Sequence, residues 1–300
     1  MDLSYLKDLS DRYTSDNSEN AQKLPHLSVY RRHAESDMEA VVYDPVVCLI
    51  LQGSKTTGTN GQRVTLETGD ALLVSHDLPV VSRITRASAR EPYIAVLLSL
   101  DLGLVRSLSL ELDGAPPAHG HVAPLAAGPA DPAWLAPLIR YFELMDDPRA
   151  ARVLGPAILR EIHFRLLLSD LGGMLGQLMF ADSHASLIAR AIQVIRNDFR
   201  SQLSIPDLAR TAGMSGSSFH SHFKSVTGTT PLQFQKDLRL IEARAQLTEN
   251  GQSVSDAAYM VGYESPTHFS RDYSRKFGIS PSRDAQQNRP VILRDVPETV

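Results

Sequence analysis

The sequence predicts an α+β protein, in which a β-rich N-terminal part is followed by connecting helices and an all-helical C-terminal part. Three observations lead to this fold class. Short apolar runs separated by turn signals fill residues 27–100, apolar residues recur at helical spacing from about residue 132, and one helical unit is written twice beyond residue 186. With 300 residues and 43% hydrophobic content, the chain is long enough for about two domains.

The N-terminal part, residues 1–112, is predicted to consist of short strands. Residues 46–51 form a continuous apolar run, and residues 93–100 are rich in β-forming side chains. Asn60-Gly61 lies between two strand-like runs and is typical of a type I′ hairpin turn, because both central residues of that turn have positive φ. Many short strands at even spacing predict a small barrel or sandwich.

Residues 113–183 are predicted to connect the two parts through a linker and helices. The stretch 113–132 is rich in Gly, Pro and Ala and has the composition of a loop, and residues 171–184 have that of a flexible junction. Asp131 before Pro132 predicts the start of a helix. A second helical stripe follows at Leu154, Ile158, Ile162 and Leu166. These helices form a dimer seam or pack on the barrel, and the sequence does not separate the two.

The C-terminal part contains a repeat. Residues 204–209 match residues 253–258 at an offset of 49, and after a turn the offset becomes 50. The later anchors are Phe219 with Phe269, Phe223 with Tyr273, Gly228 with Gly278, and Pro231 with Pro281. A single insertion at a turn is typical of two copies of a helix-turn-helix unit. We expect the units at about residues 204–226 and 253–276, in a domain of residues 184–285 followed by a tail of residues 286–300.

Each copy has residue types that a helix-turn-helix requires. Gly213 and Gly262 are expected to end the first helix in a left-handed conformation, and Ser215 and Ser265 to cap the second. The aromatic residues of the second helix are four apart and are predicted to face inward, which leaves the residues between them outward. That outward face is a candidate DNA-reading surface.

On these residues the chain resembles the AraC/XylS family of regulators, whose C-terminal module has two helix-turn-helix units joined by a long helix, here residues 231–247. The second copy is similar to the family signature from AYMVGYES at 258–265, through FSRDY at 269–273, to FGISP at 277–281. The first part resembles the cupin-like β-barrel domain of one AraC-type subgroup. The matching segments are PVVCLILQGSK at 45–55, LPVVS at 78–82 and EPYIA at 91–95.

The resemblance implies which residues contact double-stranded DNA. The base-reading positions are Ser217, Ser218, His220 and Ser221 in the first unit and Thr267, His268, Ser270 and Arg271 in the second. Phosphate contacts are expected from Lys224, Arg275 and Lys276. Ser221 departs from the family pattern, because many members have an arginine at this position, as Arg271 is in the second copy. Arginine can hold guanine through two hydrogen bonds and serine cannot, so base discrimination by the first unit is expected to be weaker or to fall to His220.

The resemblance also implies partners other than DNA. In the family, a cupin-like domain holds a small effector, mediates dimerisation, or does both, and the barrel-facing candidates for an unknown effector are Lys55, His76, Arg83 and Tyr93. A cytoplasmic homodimer that contacts RNA polymerase is expected, with activation and repression both open. No membrane partner is expected, because the sequence has no basic leader and no apolar run of about 18 residues. No cofactor is expected, because the sequence has no GxGxxG or Walker motif.

The charge distribution fits these expectations. Residues 1–183 contain 16 Lys and Arg against 23 Asp and Glu, whereas residues 184–300 contain 14 against 11, which favours phosphate binding by the C-terminal part. The single cysteine, Cys48, excludes an intrachain disulfide and lies in an apolar run typical of a core residue.

Two other classes of protein are compatible with parts of the sequence. A cupin enzyme would need clustered metal ligands, but His33 and His76 do not have a matching spacing, so neither a metal site nor enzymatic activity is expected. An adaptor whose helix pairs bind proteins would lack the salt-dependent DNA affinity that phosphate contacts cause.

Overall fold

The computed structural model describes residues 3–14, 24–59, 62–112, 123–180 and 183–287, and it confirms the predicted α+β class. The strands are β1 (Leu27–Arg32), β2 (Glu39–Tyr43), β3 (Val46–Gln52), β4 (Ser54–Gly58), β5 (Arg63–Leu66), β6 (Asp70–Val74), β7 (Leu78–Arg86), β8 (Tyr93–Ser99) and β9 (Ala126–Pro129). The helices are α1 (Leu3–Thr14), α2 (Leu102–Glu111), α3 (Pro132–Glu143), α4 (Pro148–Leu168), α5 (Gly173–Met179), α6 (His184–Asn197), α7 (Ile205–Thr211), α8 (Gly216–Thr227), α9 (Pro231–Thr248), α10 (Val254–Met260), α11 (Pro266–Phe277) and α12 (Pro281–Gln287). None of the described helices has the length and hydropathy that a membrane span requires.

The strands form two antiparallel sheets, as the even spacing of short strands predicts. One sheet has the order β1-β8-β3-β6-β9 and the other β2-β7-β4-β5. In the first sheet β3 lies between β8 and β6, and the apolar run Val47 to Leu51 within it is buried throughout. A strand paired on both edges and covered on both faces needs apolar residues at every position, which explains why this run does not alternate.

The β4–β5 hairpin confirms the turn signal between them. The two strands pair antiparallel from Lys55 opposite Leu66 to Gly58 opposite Arg63, and Thr59 N donates to Gln62 O at 2.8 Å. Asn60-Gly61 itself lies outside the described residues, so its turn type stays a prediction.

The connecting segment is more ordered than its composition predicts. Ala126–Pro129, expected to be loop, forms β9 and pairs with β6. Gly173–Met179, expected to be part of a flexible junction, forms α5, in which Met174 and Leu175 are buried. Both expectations were wrong because Gly- and Ala-rich composition reports local flexibility, whereas sheet pairing and burial of the interspersed apolar residues decide the outcome here.

The predicted helices of the connecting segment pack into the core of the β-rich domain. Asp131 Oδ1 accepts a hydrogen bond from Ala133 N at 2.8 Å, which confirms the capped start of α3. On α4, Ile162 and Leu166 are buried in this core, but Leu154 is exposed. The apolar stripe therefore contributes to core packing at one end and to the surface at the other.

Two helices that the sequence pattern did not predict complete this core. Leu6, Leu9 and Tyr13 of α1 are buried in it, and the Tyr13 hydroxyl donates to Leu27 O at 2.9 Å. Val105 of α2 is buried beside them, and Asp101 caps this helix by accepting from Leu104 N. These two helices contribute a few residues each to a core that several separate segments form, so neither has a long periodic pattern in the sequence.

The chain divides into two compact units, and the division passes between the two helix-turn-helix units. The first unit comprises residues 1–194 and 205–231 and thus includes α7 and α8, whereas the second comprises residues 195–204 and 232–300. Helix α8 packs on α7, and α8 and the glycine that follows it also have contacts with other parts of the first compact unit. The His222 ring stacks on the His184 ring with centroids 3.7 Å apart. Gly228, which follows α8, lies so close to Thr59 that a methyl group added to it would be 2.5 Å from Thr59 Oγ1. The backbone of Val226 lies beside the His76 imidazole.

His76 is a buried imidazole in the first unit. Its Nε2 has no hydrogen-bond partner of ordinary geometry among the described residues. Burial lowers the pKa of His76 from 6.5 to about 4, and the backbone of Val226 has a smaller, opposite effect. Because the pKa is lower in the folded state, the unfolded chain binds the extra proton, and stability is lost as the pH falls from about 6.5 toward 4.

We expect His76 to lower the free energy of unfolding by about 2 kcal/mol between pH 7 and pH 5. Urea unfolding at the two pH values measures this change. His76→Gln should lose most of the pH dependence between these values, and His163 and His222, whose pKa values burial also lowers, contribute to what is left. The exposed His33 provides the control, and His33→Gln should behave as the wild type does. Equal pH dependence in wild type and His76→Gln would contradict the prediction.

Candidate DNA-binding surface and effector cavity

The two helix-turn-helix units have the same local geometry. Gly213 and Gly262 follow α7 and α10 with φ of 64° and 87°, the left-handed region that glycine enters without steric cost. Ser215 Oγ accepts from Ser218 N at 3.3 Å, and Ser265 Oγ accepts from the third residue of α11 at 3.4 Å. The predicted helix ends and caps are confirmed in both copies.

The second helix of each unit is held by an inward pair of aromatic residues. Phe219 and Phe223 on α8 are fully buried with ring centroids 5.7 Å apart, and Phe269 and Tyr273 on α11 are fully buried at 5.4 Å. The inward orientation predicted from their spacing is confirmed. Each helix therefore leaves its intervening residues free for another role.

The predicted base-reading residues lie on the accessible side of these helices. The exposed members are Ser217, His220 and Ser221 on α8 and Thr267, His268 and Arg271 on α11, and the half-buried ones are Ser218 and Ser270. Arg271 forms no ion pair with a described residue, so its guanidinium donors are available. The two surfaces thus differ as the sequence predicts, with a free arginine on α11 where α8 has Ser221.

The predicted phosphate contacts separate into exposed and interior cations. Lys224 on α8 is exposed, and the Arg275 side chain is 65% exposed although it pairs with Asp272 at 2.8 Å. Lys276 differs, because its side chain is 11% exposed and its Nζ lies 2.8 Å from the buried Asp237 carboxylate. Lys276 therefore forms an interior ion pair with Asp237 in the second compact unit and is not the surface cation that the sequence predicted.

A residue that sequence reasoning missed, Arg239 on α9, holds the second helix-turn-helix unit in place. Its guanidinium donates to the carbonyl oxygens of Phe199 at 2.6 Å and of Gly262, the turn glycine, at 2.9 Å. It also donates to Arg200 and Ser201 at 2.8 Å each. The planar fork of arginine suits several carbonyl acceptors at once. The acceptors are backbone carbonyl groups, which every residue has. The sequence therefore does not indicate which of them the fold brings to Arg239.

The structure brings together two of the four effector candidates. Lys55 on β4 and Tyr93 on β8 line one cavity of about 360 Å³, together with Tyr43 and Cys48. Because β4 and β8 belong to different sheets, this cavity lies between the sheets. His76 lines a separate cavity of about 270 Å³ with Asp77. The remaining candidate, Arg83, is exposed and its Nε donates to Ser36 O at 3.2 Å.

Lys55 is a buried ammonium with weak partners. Its Nζ lies 3.3 Å from the Tyr43 hydroxyl and 3.4 Å from Cys48 Sγ, and 5.3 Å from the centroid of the Tyr43 ring. Burial acts to lower the pKa of Lys55, but Cys48, Tyr43 and Tyr93 act together in the opposite direction and raise it well above the usual value. Within the described part of the chain, no group of three or more His, Cys, Asp or Glu residues is placed to hold a metal ion.

Arg275 and Lys276 are neighbours in the sequence but differ in exposure, so substituting each of them tests which one stabilises the fold and which one binds DNA. Lys276→Gln should lower the free energy of unfolding by about 3 kcal/mol, because it removes the ammonium that pairs with the buried Asp237 carboxylate. Arg275→Gln should change stability by less than about 1 kcal/mol and should instead weaken binding to duplex DNA. Urea unfolding and fluorescence anisotropy measure the two effects. Equal stability losses in the two variants would contradict this assignment.

Models of two protein families match the chain, and together they cover most of it. The AraC-type transcriptional regulator N-terminus matches residues 23–174, and a helix-turn-helix domain matches residues 208–287. The first match spans half of the chain and includes the cavity, and the second includes both candidate recognition helices.

Similar full-length proteins support the same assignment. The transcriptional activator RhaS of Citrobacter koseri is 28% identical over 83% of this chain and 87% of its own length, and RhaS of Escherichia coli is 26% identical over 91% and 92%. Two structures of ToxT from Vibrio cholerae share the fold with TM-scores of 0.55 and 0.54, at 13% identity each, over 90% and 87% of this chain and 97% of theirs. The chain therefore belongs to the AraC family of DNA-binding transcriptional regulators.

Proposed function

We propose that this protein recognises specific DNA sequences through α8 and α11 and that a small molecule in the cavity between the sheets controls its activity. The observation that carries the DNA-binding part is the repeat itself. In both copies a buried aromatic pair fixes the helix and leaves a polar, accessible face opposite to it. An α-helix with such a face fits the major groove, where each base pair presents a distinct pattern of donors and acceptors.

The two helices are proposed to contribute unequally to specificity. Arg271 on α11 can donate two hydrogen bonds to guanine, whereas the matching Ser221 on α8 cannot. The first unit therefore relies on His220, on DNA shape and on phosphate contacts from Lys224. Operators for this protein should consequently consist of one strongly specified and one weakly specified segment.

Transcriptional activation is the proposed outcome of DNA binding. The RhaS proteins to which the chain is similar are transcriptional activators, and the similarity covers most of each chain. We propose RNA polymerase as the protein partner, the cytoplasm as the location, and a homodimer as the active form. The exposed apolar residues Leu110 on α2 and Val153 and Leu154 on α4 fit a self-association surface.

Control by a small molecule is supported by the cavity and by the ToxT structures. One ToxT structure contains an unsaturated fatty acid and the other (E)-4-(8-methylnaphthalen-1-yl)but-3-enoic acid. In the present protein the cavity is mainly apolar and has a few convergent polar groups, which is typical of small-molecule sites.

The proposal can be tested by selecting genomic fragments that the purified full-length protein retains and measuring their affinity by fluorescence anisotropy. A selected fragment should bind at least about a thousand times more tightly than a scrambled one at the same salt concentration. Affinities that do not depend on sequence would contradict the proposed function.

Arg271→Ala is predicted to weaken binding to the selected fragment by about 1–3 kcal/mol and to relax specificity at one base pair, because the bidentate donor is lost. Lys224→Ala is the matched comparison. It should weaken binding to all sequences alike and reduce the salt dependence by about one phosphate contact. Anisotropy titrations against a fragment and its single-base variants measure both effects. A uniform loss of affinity for Arg271→Ala would show that it contacts phosphate instead.

A further inference from the structure

The cavity between the sheets contains a charge that the protein itself does not neutralise. The Lys55 side chain is buried, and no carboxylate of the described residues lies within ion-pair distance of its Nζ. The acid that lines the same cavity, Glu39, pairs instead with Arg32 at 3.7 Å. The hydroxyl and the sulfur that contact this buried ammonium favour its charged form, but neither is a carboxylate, so the chain supplies no acid as its counter-ion.

A second donor in the same cavity is also unsatisfied. The Tyr93 hydroxyl is buried beside the Cys48 thiol, a weak acceptor, and has no hydrogen-bond partner of ordinary geometry among the described residues. Buried hydroxyl groups without a partner are uncommon in folded proteins, since each costs free energy comparable to a lost hydrogen bond. The cavity therefore offers two buried donors, an ammonium and a phenol, to an acceptor that the chain does not supply.

The rest of the lining restricts the chemistry of that acceptor. Val41, Ile84, Ala95 and Leu97 give the cavity apolar walls, and a few polar side chains, including Ser36 and Ser82, also border it. A neutral polyol would bring no counter-charge to the buried Lys55 ammonium, and a dianion such as phosphate would retain an uncompensated negative charge beside it. A monoanion with an apolar body can accept hydrogen bonds from both donors and pack its apolar part against the walls.

We infer that the effector is a small organic monocarboxylate, whose carboxylate oxygens accept hydrogen bonds from Lys55 Nζ and Tyr93 Oη and whose apolar body lies against Val41, Ile84 and Leu97. This inference rests on the proposed function, in which the cavity is the effector site. It assigns the ligand class and the two residues that recognise it.

The experiment compares acids with their own amides on the full-length protein. Isothermal titration calorimetry is carried out with benzoate, phenylacetate, hexanoate and octanoate, each against its primary amide, and with glucose as a neutral polyol. At least one acid should bind ten or more times more tightly than its amide, because the amide keeps the shape and loses the charge. Glucose should not bind. If no acid binds more tightly than its amide, the inference is wrong.

Variants of the two donors test the assignment of residues. Lys55→Met should weaken the preferred acid at least tenfold and remove its advantage over the amide, and Tyr93→Phe should weaken it severalfold. Lys55→Met replaces a buried charge by an apolar side chain of similar length, so the fold is expected to persist, and circular dichroism checks this. The exposed Arg90 supplies the control for total charge, and Arg90→Met should bind the acid as the wild type does. Unchanged selectivity for the acid in Lys55→Met would overturn the inference.

The same preparations separate this inference from the proposed function. Sequence-specific DNA binding by wild-type protein in the absence of acid selectivity would contradict the ligand class alone. Loss of sequence-specific binding would contradict the proposed function, whatever the calorimetry shows.

Discussion

Neither helix-turn-helix unit can be stable on its own contacts, and this constraint organises the rest of the structure. Their first helices, α7 and α10, are seven residues long, which is too short for an isolated helix to persist in water. Each unit must therefore pack against something larger. The first belongs to the compact unit of the β-rich domain, and the second to the unit of α9, where Arg239 binds the carbonyl of Gly262. One DNA-binding module is thus divided between two packing units.

This division places the candidate effector cavity and the first helix-turn-helix unit in one packing unit. Lys55 lies on β4, and Thr59, just beyond the end of that strand, contacts the glycine that ends α8. A ligand held by Lys55 would therefore act on a strand whose end lies directly against the first helix-turn-helix unit. The strongest candidate reader, Arg271, lies in the other unit. Base specificity is then expected mainly from the second helix-turn-helix unit, and sensitivity to the effector from the first helix-turn-helix unit.

Periodic and local features could be predicted from the sequence, and features that depend on distant partners could not. Gly213, Ser215 and the inward aromatic pairs follow from helix geometry and were predicted to the residue. Strand β9 and helix α5 were not predicted, because partners elsewhere in the chain stabilise them. Lys276 illustrates the same limit at the site. The resemblance implied a phosphate contact from Lys276, but its ammonium pairs with the carboxylate of Asp237 on α9 in the interior.

Native-state hydrogen exchange at increasing urea concentration tests the division most directly, because it measures the opening free energy of individual amides. Buried amides of α8, such as that of Phe223, should open with the same free energy and urea dependence as the amide of Lys55 on β4. The amide of Tyr273 on α11 should follow a separate curve. If the amide of Phe223 opens together with that of Tyr273 and apart from that of Lys55, the two helix-turn-helix units form one cooperative domain, and the division between two compact units is wrong.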